Sequence, residues 1–206
     1  MLINNLLRTH LNIRQIQTLT KSEYFSKKIT DNFNLKEFID INNNKIFIKS
    51  GIPSQRILKQ EKNKQKIINL MRDVLIRADK IDSNYTFEYL KRSLVSFSNI
   101  KLVLSGVDNN TRNKLAVEYF ENIKNSKFAN KNPFFWLQYG IQTLEQKKYE
   151  LADNYFDTAL SFATKKGYDD FYQINAQKAR GIMESIIAKN LKATDTYSYF
   201  IKVHSL

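Results

Sequence analysis

Two histidines, two pairs of aspartates and one row of basic residues are the candidates for acid–base, metal or polyanion chemistry in this chain. His10 and His204 could serve as acid–base groups or metal ligands. They stand near opposite ends of the sequence, and neither has a second ligand three or four residues away. The plain reading is two surface imidazoles. Asp153 and Asp157 are one helical turn apart, but no nucleophile or metal signature accompanies them. They read as a solvated helix face. Asp169 and Asp170 read as the acidic start of a following helix, where the dipole favours negative charge. Arg56, Lys59, Lys62 and Lys66 recur along one side of a predicted helix, with Lys64 pointing elsewhere. Such a row could contact the phosphates of a nucleic acid or another polyanion. The competing reading is a solvated face, broken by Glu61 and several glutamines. The sequence contains neither Gly-x-x-x-x-Gly-Lys-Ser/Thr nor Gly-x-Gly-x-x-Gly, the loops that cradle phosphates. No catalytic, cofactor-binding or metal-ligating residue is therefore assigned, no cofactor is expected, and the chain is not expected to be an enzyme.

The elements that would position such groups are helices. The 206 residues suit one domain or two small ones. Five glycines and two prolines are few, as long helices with few sharp turns require. There is no cysteine, hence no disulfide framework and no thiolate metal site; this suits a reducing cytoplasm, the expected location. No apolar run approaches the length of a membrane span. The first residues carry Arg8, Arg14 and Lys21 with no acid before Glu23, a pattern shared by organelle transit peptides and by amphipathic helices with an exposed face.

The net charge of +13 is unevenly placed: residues 1–66 hold 13 Lys/Arg against 5 Asp/Glu, and residues 67–206 hold 20 against 15. Lys, Asn and Ile are over-used together, so a drift toward AT-rich codons competes with a polyanion partner as the source of the charge. The 25 Tyr and Phe fall at helical spacing and are core residues before they are base-stacking platforms.

Along the chain, Leu2, Leu6, Leu7, Leu11, Ile13 and Ile16 are spaced for one face of a helix within residues 1–33. Residues 35–50 change character, and Leu35–Ile41, Asn42-Asn43-Asn44 and Lys45–Lys49 read as a small β-hairpin. Helices are expected from Pro53 to about Lys80, from Tyr85 to about Leu104 and from Arg112 to Asn125, with Leu115, Tyr119, Phe120 and Ile123 inward. Loops are expected at Gly106–Thr111 and Ser126–Asn132. Helices followed by a hairpin and a further helix resemble a winged-helix arrangement over residues 10–60.

The most informative stretch is Pro133–Ala163. Trp136 is followed by Gly140, Tyr149, Ala152, Phe156 and Ala159, the spacing of a tetratricopeptide helix–turn–helix unit. Small Gly140 and Ala152 let two helices approach; large Trp136 and Phe156 fill the space beside that contact. Tyr139 stands where the repeat has Leu, Thr143 where it has its first Tyr, and the closing proline is absent. Asn132 is the expected N-cap and Pro133 the first helical residue. Worn neighbouring units are indicated by Ala116 and Phe120, 36 residues before Ala152 and Phe156, and by Gly181, Ala193 and Tyr197, 41 residues after Gly140, Ala152 and Phe156. The alternative is an ordinary helical hairpin.

Residues 132–167 and 172–185 resemble the C-terminal repeat region of large bacterial P-loop ATPases of the STAND type, which are often fused to sirtuin-like effectors and implicated in defence against phage. Residues 44–58 are similar to the winged-helix exit after the ATPase core of that group. The chain begins inside that winged-helix region, so no nucleotide-binding or effector residue is carried over. The resemblance implies a sensor or scaffold segment, a split subunit or a remnant.

The expectation is thus an all-α protein of tetratricopeptide-like helical hairpins, an α-solenoid, with a small N-terminal β-hairpin. Residues 1–52 form a winged-helix-like part and 53–206 a helical repeat domain whose clearest unit is 133–166. The expected role is a non-catalytic scaffold that binds a protein partner, with no membrane contact. A nucleic-acid-binding protein using the winged-helix-like part and the basic row is the alternative.

Overall fold

The computed structural model describes residues 13–20, 39–42, 45–48, 60, 63–81, 85–166 and 171–189. His10, His204, Arg56, Lys59, Lys62, Asp169, Asp170, Ala193 and Tyr197 lie outside the described residues. The described residues are mostly helical. In order, the elements are α1 (Ile13–Thr20), β1 (Ile39–Asn42), β2 (Lys45–Ile48), α2 (Lys64–Asp79), α3 (Tyr85–Val95), α4 (Phe97–Val103), α5 (Asn109–Ile123), α6 (Lys127–Asn130), α7 (Pro133–Glu145), α8 (Tyr149–Lys166) and α9 (Phe171–Ala188). β1 and β2 pair antiparallel, with Ile39 opposite Ile48 and Ile41 opposite Ile46. The chain separates into two compact units, Met1–Ser126 and Lys127–Leu206. Among the described residues, no helix is long and apolar enough to cross a membrane.

In the first unit, α2 packs against α1, α3, α4 and α5. Its apolar face supplies Met71, Leu75 and Ala78, which meet a core that also takes in Leu90, Leu94, Ile100, Val103, Phe120 and Ile123, all fully buried. Tyr119 is buried as well, and its hydroxyl donates to the Leu94 carbonyl at 3.1 Å. Burial pushes the phenol's pKa far up, because the ionised form would lose its hydration.

Two boundaries in this unit, and one at the start of the second, differ from the sequence expectation. The helix expected from Tyr85 to Leu104 is two helices. Ser96 breaks it with an extended ψ of 119°, and Asn99 reaches back to donate to the Ser93 carbonyl at 2.9 Å. Ser96 stands at the N-cap position of α4 without a side-chain cap bond; its hydroxyl lies 2.8 Å from that of Ser98. The loop expected at Gly106–Thr111 already contains a helix start: Asp108 is the N-cap, accepting from the Thr111 N–H at 2.9 Å. Hydrogen bonds from the Thr111 side chain and then from its N–H hold the Asp108 carboxyl below its ordinary pKa. The stretch expected as a loop at Ser126–Asn132 holds the helical turn α6.

Lys64 is the first residue of α2 and is 1% exposed. Its ammonium donates to the carbonyls of Val103 at 2.7 Å and Ser105 at 2.5 Å. These oxygens lie at the C-terminal end of α4, where carbonyls lack helical partners and the dipole favours a cation. Burial lowers the Lys64 pKa.

Candidate functional site

Among the described residues, the second unit holds the short α6 and the longer helices α7, α8 and α9. Asn132 caps α7, accepting from the Phe134 N–H at 2.9 Å and the Phe135 N–H at 3.4 Å, and Pro133 occupies the first turn, where its missing N–H leaves nothing unsatisfied. The helix ends at Gln146. There Lys147 N–H donates to the Leu144 carbonyl at 2.8 Å and Lys148 N–H to the Thr143 carbonyl at 3.3 Å. That pair of bonds is the Schellman termination, and it places Lys147 in the left-handed region at φ 60°. The reversal leads straight into α8. A connection this short makes α7 and α8 an antiparallel hairpin.

Gly140 sets how closely the two helices pack. A Cβ built there would lie 2.4 Å from Phe156 Cε1 and 2.6 Å from Cδ1. The Phe156 ring therefore occupies the volume that any other residue at 140 would fill. The atoms nearest to that position all belong to the Phe156 ring. Ala152, Phe156, Ala159 and Ala163 form the buried stripe of α8, joined by Leu137 and Leu144 from α7 and Ile174 from α9. Tyr149 packs against this core from its edge. Trp136 does so too, while stacking on Tyr139 (centroids 6.4 Å apart) and lying 5.6 Å from Tyr155; its indole N–H donates to the Asn130 carbonyl at 3.3 Å. The six repeat-packing residues, Trp136, Gly140, Tyr149, Ala152, Phe156 and Ala159, thus lie in or against one core.

Helix α9 packs on α8 and touches α7. Gly181 faces the same core, but more loosely. A Cβ there would meet Leu144 Cδ1 at 3.4 Å and Phe156 Cε2 at 3.9 Å. One turn back, Lys178 is 9% exposed. Its ammonium donates to Asp157 and stands 3.6 Å from Asp153 Oδ1. The aspartates expected to form a merely solvated face are instead about half exposed and bound by one lysine from the next helix. Sequence reasoning missed Lys178. Its only local sign is a lysine at i+4 from Ile174, on what turns out to be the buried side of α9.

Between α8 and α9 runs a groove of about 130 Å³. Phe156, Gly181 and Ile182 contribute its apolar lining. Tyr149, Glu150 and Asp153 line it from α8; Lys178, Ser185 and Lys189 line it from α9's side. Of the basic row, Lys66 is an exposed residue of α2, and its three companions lie outside the described residues. No protein-family profile, curated protein or solved structure matches this chain.

Proposed function

We propose that this protein is a non-catalytic interaction or sensor scaffold built on tetratricopeptide-like hairpins of an α-solenoid, with a winged-helix-like element around β1 and β2. The observation that carries the reading is the Gly140–Phe156 contact, which joins α7 and α8 at the spacing that the repeat pattern uses. Helix α9 extends the same core with a second glycine, Gly181, turned inward. A stack of this kind buries its core between neighbours and leaves grooves for partners. The likeness of residues 132–167 and 172–185 to the C-terminal repeats of STAND-type ATPases supports placing the scaffold beside such an ATPase, as a segment or a split subunit of a defence system.

The test is affinity purification of the tagged full chain from its host, followed by reconstitution of any recovered pair from purified components. The expected result is a protein partner at fixed stoichiometry, retained by the wild type and weakened by Gly140→Leu. Recovery of no protein above background, or retention of nucleic acid alone with a steep salt dependence, would overturn the reading.

A further inference from the structure

We draw no further inference here: the strongest candidate, the exposed apolar face of α9 that carries Tyr172, Met183 and Ile187, supports no proposal because nothing in the structure shows what covers it.

Discussion

Replacing Gly140 and Gly181 by alanine, one at a time, should move stability in opposite directions. Both glycines are interior helical residues, so alanine at either gains about 0.8–1 kcal/mol of helix propensity. Their surroundings then decide. At Gly181 the new methyl meets Leu144 Cδ1 at 3.4 Å, an ordinary contact, and the propensity gain survives. Gly181→Ala should be stabilising by roughly 0.5–1 kcal/mol. At Gly140 the methyl would lie 2.4 Å from Phe156 Cε1, against the ~3.5–4.0 Å that carbon atoms prefer. The ring must retreat by more than about 1 Å. It is 1% exposed and already borders Gly181 on its far side, so the retreat strains a filled core. Overpacking of this kind costs about 1–3 kcal/mol, with two ring atoms in conflict placing it toward the upper end. Subtracting the propensity gain leaves Gly140→Ala destabilised by about 1–2 kcal/mol. Gly140→Leu should lose more. Urea unfolding followed by fluorescence is the assay, because the only tryptophan, Trp136, lies in the same hairpin and reports that unit. Trimming the ring should relieve the conflict, so Gly140→Ala and Phe156→Leu combined should lose less than the sum of the two single losses. If Gly140→Ala proves as stable as the wild type, or if both glycines respond alike, the close approach of α7 and α8 is not what the Gly140–Phe156 contact enforces.

Lys147→Gly should raise stability by about 0.5–1 kcal/mol. The lysine holds φ at 60°, a left-handed conformation that strains a residue with a Cβ by about 1–2 kcal/mol, partly offset by glycine's greater freedom when unfolded; an unchanged urea midpoint would contradict the strain. Asn132→Ala should cost ~1 kcal/mol by uncapping α7, while Asn132→Ser restores most of it. Tyr119 makes stability depend on alkaline pH. Its folded-state pKa is raised above the usual 10.0, so above that pH the unfolded chain releases a proton that the folded chain keeps, and stability falls by up to about 1.4 kcal/mol per pH unit. Unfolding of Tyr119→Phe measured from pH 8 to 11 should lack that component, after a loss of about 1 kcal/mol at neutral pH for the hydrogen bond to the Leu94 carbonyl; parallel pH profiles for the two proteins would show that Tyr119 ionises freely.

Much of the second unit was legible before any coordinates, because its signals are local. Asn132-Pro133 marks a helix start by the chemistry of the first free N–H groups, and the helix does start there. Ala152, Phe156, Ala159 and Ala163 recur at helical spacing and are buried together. In the first unit, Leu115, Tyr119, Phe120 and Ile123 point inward for the same reason. One misread boundary was also local: Asp108 caps α5 through its side chain, and capping chemistry would have placed a helix start beside it.

Residue type and periodicity within a turn or two place the amphipathic helices and mark the apolar face of each. The tertiary structure alone decided the pairings. Gly140 and Gly181 look alike in sequence; only the ring of Phe156, lodged against one and at ordinary contact distance from the other, makes them differ. Asp153 and Asp157 meet one ammonium because α9 brings Lys178 across from 25 and 21 residues away. Lys64, set apart from the basic row by its phase on the helix, caps a helix whose end lies 39 residues on. Each of these depends on which residues meet in space, a quantity set by the packing of whole helices and absent from any single turn of the chain.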